Sequence, residues 1–75
     1  MDAARLTAMA NQIGAFFHVQ GEAATIDGVE THLRRFWDPR MRREIIAHLR
    51  SGGEGLKPEV RAAVARLAGG LAAGG

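Results

Sequence analysis

The 75-residue chain is predicted to be all-α, a small single domain of three to four short helices ending in a flexible C-terminal tail. Three observations predict it. Apolar residues recur three and four positions apart in four separate stretches, the mark of one buried helix face. Glycine- and proline-rich punctuation falls between those stretches at Gly21, Asp38-Pro39 and Ser51–Pro58. No segment alternates apolar and polar residues as a half-buried strand does, and there is no tandem repeat. The domain is expected over residues 1–70 and the tail over 71–75.

The first helix is expected to start near Ala3 and to end by Gly21, with Leu6, Met9, Ile13, Phe16 and Phe17 on one face. Gly14 lies inside it at a cost of up to ~1 kcal/mol relative to alanine, so another helix is expected to approach there. The second helix runs from about Ala23 to Phe36, with Ile26, Val29, Leu33, Phe36 and Trp37 at the same spacing. A residue before proline is pushed out of the helical region, so Asp38 breaks this helix. Its carboxylate also suits the N-cap of the next, and Pro39 suits the first helical position, where no donor is missed.

The third helix extends from Pro39 to about Arg50, with Met41, Ile45, Ile46 and Leu49 inward. Ser51-Gly52-Gly53-Glu54-Gly55 ends it, supplying glycine for a left-handed cap. Pro58 opens the fourth, with Val60, Ala63, Val64 and Leu67 inward and Gly69-Gly70 closing it.

One domain of this length buries only about 60% of its unfolded surface. Hydrophobic residues make up 47% of the chain, but fourteen of them are alanine. A core of this size holds ~3–5 kcal/mol. There is no cysteine to add a disulfide or a thiolate metal site. A thin core without a staple favours life on a partner. The start, Met1-Asp2-Ala3-Ala4-Arg5-Leu6, lacks a basic region followed by an apolar one, and no apolar run approaches the ~20 residues of a spanning helix. The chain is therefore expected in the cytoplasm, with no membrane contact.

The residues give little support to catalysis. Ser51 is the lone serine and sits in a glycine-rich loop, where capping a helix end is its ordinary role. His18, His32 and His48 are 14 and 16 positions apart, so no two are preorganised for a metal. Glu22, Asp27 and Glu30 read as solvated on the polar side of the second helix. Gly52-Gly53-Glu54-Gly55 lacks the preceding strand and following Gly-Lys-Ser/Thr of a phosphate loop and reads as a connector. No catalytic, cofactor-binding or metal-ligating residue is assigned.

Charge and aromatic residues say more. The net charge is +2, but Arg34, Arg35, Arg40, Arg42, Arg43 and Arg50 crowd into 17 residues, opposed there only by Asp38 and Glu44. Such density attracts phosphates or an acidic protein surface. A short turn followed by Arg40, Arg42 and Arg43 has the outline of a helix-turn-helix, so a small basic nucleic-acid binder is the rival reading. Base-edge readers such as asparagine and glutamine are absent from that helix, and the low net charge limits counterion release.

Phe36 and Trp37 both lie at the helix corner. Adjacent residues on a regular helix point about 100° apart, so one of the pair faces outward. Both types of residue close cores, and Phe36 is the more natural core member. Trp37, ringed by arginines, is the candidate anchor on a partner, because aromatic and arginine side chains dominate interface energetics. The candidate interface is Phe17, Arg34, Arg35, Trp37, Arg40 and Arg42, with Phe16 or Phe17 as a second apolar contact.

Three blocks then resemble a known family: Met9-Ala10-Asn11-Gln12-Ile13-Gly14-Ala15-Phe16-Phe17, His32-Leu33-Arg34-Arg35-Phe36-Trp37-Asp38-Pro39-Arg40-Met41-Arg42, and Gly52-Gly53-Glu54-Gly55-Leu56 with Pro58 after it. In order and spacing they are similar to the delta subunit of NAD-dependent formate dehydrogenase, over roughly residues 6 to 67. The middle block is the most specific. The resemblance implies a small non-catalytic subunit of a cytoplasmic complex that oxidises formate to carbon dioxide with NAD. It implies an alpha subunit carrying bis-molybdopterin guanine dinucleotide, with molybdenum or tungsten, and iron–sulfur clusters. Beta and gamma subunits would carry FMN and further clusters. The delta subunit would hold no cofactor itself, dock on alpha and support maturation or stability of the complex. One departure stands out: Lys57 occupies the place before Pro58 where such sequences commonly have aspartate, which weakens the N-cap of the last helix.

Overall fold

A computed structural model describes the backbone of residues 2–74 and the side chains of residues 2–69. Helix α1 is Ala3–Phe17, α2 is Glu22–Phe36, α3 is Pro39–Arg50 and α4 is Pro58–Gly74. A 3-10 turn, His18–Gln20, joins α1 to α2. No strand occurs among the described residues. The tail expected over 71–75 lies outside the residues whose side chains are described.

Local chemistry sets most helix ends. Asp2 accepts from the Arg5 amide at 2.8 Å and Asp38 from the Met41 amide at 2.9 Å, each satisfying a donor that the helix leaves unpaired. α1 stops at Phe17, where the chain tightens into the 3-10 turn, and Gly21 takes a φ of 99°. Glycine meets that backbone at no steric cost. Buried Thr25 fastens the junction: its hydroxyl hydrogen is shared between the Gly21 carbonyl at 2.7 Å and the Phe17 carbonyl at 3.1 Å. α3 closes with paired bonds from the Gly52 amide to the Leu49 carbonyl and from the Gly53 amide to the His48 carbonyl. That is the Schellman arrangement, and Gly52, at φ 123°, supplies its positive φ.

Lys57 does not cap α4. The loop before it is held from a distance by Asn11 of α1, whose amide donates to the Gly55 carbonyl at 2.9 Å and whose oxygen accepts from the Lys57 amide at 3.1 Å. Arg61 adds contacts to the carbonyls of Gly52 and Gly53 at 2.9 and 3.0 Å.

The core gathers Leu6 and Ala10 of α1, Val29 and Leu33 of α2, Ile45 and Ile46 of α3, Leu56, and Val60, Ala63, Val64 and Leu67 of α4. Met9, Ile13, Met41 and Leu49 pack half-buried around it. At Gly14, α1 meets α4 so closely that a Cβ would stand 2.6 Å from Val60. The expected close helix approach is real.

Expectations for four residues are corrected here. Trp37 is 5% exposed and belongs to the core, while Phe36 is 72% exposed and faces outward. Trp37 lies four residues after Leu33 and eight after Val29, and with φ −84° and its amide bonded to the Leu33 carbonyl its side chain continues that buried line. Its ψ of 139° turns only the chain that follows. Phe36, one position earlier on the screw, is carried outside. Phe16 is corrected too: at 74% exposed it lies off the buried face of α1. Glu30 is likewise no solvated acid. It is half-buried and paired with Arg34 at 2.9 Å and Arg66 at 3.1 Å.

Candidate partner interface

The basic residues of the α2–α3 corner divide into two groups with different work. Arg34 lies one turn after Glu30 and is bound to it through both Nε and Nη2. Arg42 reaches back from the first turn of α3 and donates Nη1 to the carbonyls of Arg34 and Trp37. Those carbonyls lack helical partners at the end of α2, and a guanidinium there also meets the negative end of the helix dipole. Both arginines therefore brace the chain internally.

Arg35 and Arg40 are exposed and form no ion pair among the described residues, as does Arg43. Arg35 lines the same shallow groove as Phe36, whereas Arg43 lines a cleft with Pro39 and Leu67. Of the expected interface set, the structure leaves Arg35 and Arg40 free, engages Arg34 and Arg42, buries Trp37, and half-buries Phe17. Phe36 and Phe16 take the outward aromatic place that the sequence reading gave to Trp37.

Phe17 is positioned by Gly28. A Cβ at residue 28 would stand 2.7–2.9 Å from ring atoms of Phe17, so only glycine lets the ring lie there. Phe16 meets Phe17 edge-on at 5.2 Å, and His32 stacks on Phe36 at 4.8 Å. Between these pairs lies a shallow groove of about 440 Å³, lined by Phe17, Gln20, Ala24, Gly28, Thr31 and His32 and ended by Arg35 and Phe36. A half-filled trough beside it, about 300 Å³, exposes Met9 and Ile13 above the edge of Trp37. Exposed aromatic rings, half-buried aliphatics and unpaired guanidiniums on adjoining helices make the composition of an interface core with a polar rim.

The remaining polar groups offer no comparable constellation. His18 stands 3.6 Å from Glu59, and His48 Nε2 lies 2.7 Å from the Glu54 carbonyl. The Ser51 hydroxyl donates to the Ala47 carbonyl at 2.9 Å, a helix-end contact. Among the described residues no three histidines or carboxylates converge as a metal site, and no helix is long and apolar enough to cross a membrane.

Sequence reasoning missed Phe36 and Asn11, and left the second apolar contact open between Phe16 and Phe17. No local signal marks Asn11: Gln12 beside it in the first resembling block is equally polar, and the Asn11 oxygen takes the Lys57 amide and not a first-turn amide of α4.

Residues 5–64 match the family model described as NADH-dependent formate dehydrogenase delta subunit FdsD. No curated protein and no solved structure matches the chain. The match spans most of the sequence, and the chain belongs to the family of formate dehydrogenase delta subunits, small components of a multi-subunit formate dehydrogenase.

Proposed function

We propose that this subunit docks on the molybdopterin-bearing alpha subunit and supports its assembly, cofactor maturation or stability, taking no part in the chemistry. The observation that carries this reading is the pair of exposed phenylalanines, Phe16 and Phe36, on adjoining helices, with Arg35, which forms no ion pair among the described residues, lining the groove beside Phe36. A chain with so small a core gains most by covering such rings with another protein. Its partners are the alpha subunit and, in the same complex, beta and gamma. Bis-molybdopterin guanine dinucleotide with molybdenum or tungsten, iron–sulfur clusters and FMN belong to those subunits. The chain has no cysteine to offer a cluster. The complex works in the cytoplasm. Of the basic residues that suggest nucleic-acid binding, Arg42 is spent on backbone carbonyls and Arg34 on a carboxylate, which weakens that rival.

The test is a tagged pull-down from native cytoplasm, with mass spectrometry and metal analysis of the eluate, repeated with Phe36→Asp. Stoichiometric recovery of a large molybdenum or tungsten iron–sulfur protein, lost in the variant, is expected. Recovery of nucleic acid, or no loss in Phe36→Asp, contradicts the reading.

A further inference from the structure

The groove along α2 restricts what fits it, through its shape and through Arg35, which has no ion partner among the described residues. Ala24, Gly28, Thr31 and Arg35 lie at i, i+4, i+7 and i+11, a straight stripe along the outer face of α2. At 1.5 Å per residue the stripe is ~16 Å long, three helical turns. Ala24 and Gly28 keep the floor low. The Phe17 ring, laid over Gly28, makes that floor aromatic, and Phe36 stands as a wall at one end.

An extended peptide finds nothing to pair with here. The backbone groups facing the groove are spent inside α2, and recognition of a strand relies on free main-chain donors and acceptors at a sheet edge. An α-helix satisfies its own backbone and needs only an apolar face, so it suits a helix-lined trough. Charge narrows the choice further. Asp27 on one rim is already paired with Arg66 at 2.8 Å. Arg35 has no ion partner among the described residues, and covering its guanidinium without an acceptor is costly. A carboxylate on the incoming helix meets that need with paired hydrogen bonds.

We infer that this groove receives an α-helix of the alpha subunit, about three turns long, apolar on its buried face and carrying an aspartate or glutamate at the Arg35 end. The inference rests on the docking reading above and adds the segment, its conformation and its charge.

A photo-crosslinking amino acid, p-benzoylphenylalanine, placed at Gln20 or at Thr31 tests it. Both positions are exposed and line the groove, so neither disturbs the core. The full chain carrying the probe is assembled into the complex, irradiated, and the adducts mapped by mass spectrometry. Both probes should join one continuous segment of the alpha subunit, at sites within ~12 residues of each other. An acidic residue should lie within one turn of the Thr31 adduct, and Arg35→Glu should cut that adduct about tenfold, the equivalent of 1.4 kcal/mol. Adducts in separated segments, in a second copy of this chain, or no adduct in a complex that retains the chain each overturn the helix assignment alone. Absence of the chain from the purified complex overturns the docking reading, and the assignment with it.

Discussion

Replacing Trp37 with alanine should unfold the free domain, while the same change one residue earlier should leave it standing. The indole is 5% exposed, so nearly its whole surface is lost from the core. A buried tryptophan covers roughly 200 Å², which at ~25 cal/mol per Å² gives about 5 kcal/mol. Measured aromatic-to-alanine truncations in cores fall at about 3–5 kcal/mol. Either figure matches or exceeds the ~3–5 kcal/mol that a single core of this size supplies. Phe36, at 72% exposed, has little more than a quarter of its surface covered. Its loss removes about 1 kcal/mol of burial, and alanine returns roughly 0.5 kcal/mol through better helix propensity. The assay is a thermal melt of the isolated full chain followed by far-ultraviolet circular dichroism. For a domain of this size 1 kcal/mol moves the midpoint by ~4–8 °C. Phe36→Ala should therefore melt within a few degrees of the parent, Trp37→Ala should show no cooperative transition, and Trp37→Phe should recover one at lower temperature. A Trp37→Ala midpoint close to the parent's refutes the core placement, and with it the assignment of Phe36 to the outside.

Other consequences are as direct. Thr7 is buried and its hydroxyl has no partner among the described residues, so Thr7→Val should raise stability by about 1 kcal/mol in urea unfolding. Asn11→Ala removes both bonds that hold the loop before α4. It should cost about 1–2 kcal/mol and speed amide exchange across residues 52–57 most of all. The arginines should separate by role: Arg42→Ala strips the carbonyl cap of α2 and lowers the melting midpoint by a few degrees, whereas Arg40→Ala leaves it unchanged.

What the sequence made legible is what local chemistry decides. Asp38, Pro39 and Gly52-Gly53 bound α3 by capping and backbone conformation alone, and the structure begins and ends that helix at the expected residues. Helical spacing put Leu6, Val29, Leu33, Ile45 and Leu67 in the core, where they are. Gly14 announced a close helix contact because glycine in a helix interior needs a reason. The errors arose where packing at a helix end or one distant partner decides. Trp37 continues the buried line of Val29 and Leu33, with its amide still bound to the Leu33 carbonyl, and Phe36 is left outside. Arg40 and Arg42 look alike in sequence, yet only Arg42 lies where its guanidinium reaches the last carbonyls of α2. Asn11 acts across more than 40 residues of chain, beyond the reach of any local pattern. At the α2–α3 corner the exposed aromatic is therefore Phe36 and not Trp37.

Docking through the α1–α2 face is most directly tested by amide hydrogen exchange, comparing the free chain with the same chain in the purified formate dehydrogenase complex. Added protection is expected over residues 16–20 and 24–36, with α3 and α4 exchanging at nearly their free rates except for what folding stability itself confers. Protection centred on α3 and α4, or no difference between free and assembled chain over residues 16–36, contradicts the assignment of this face.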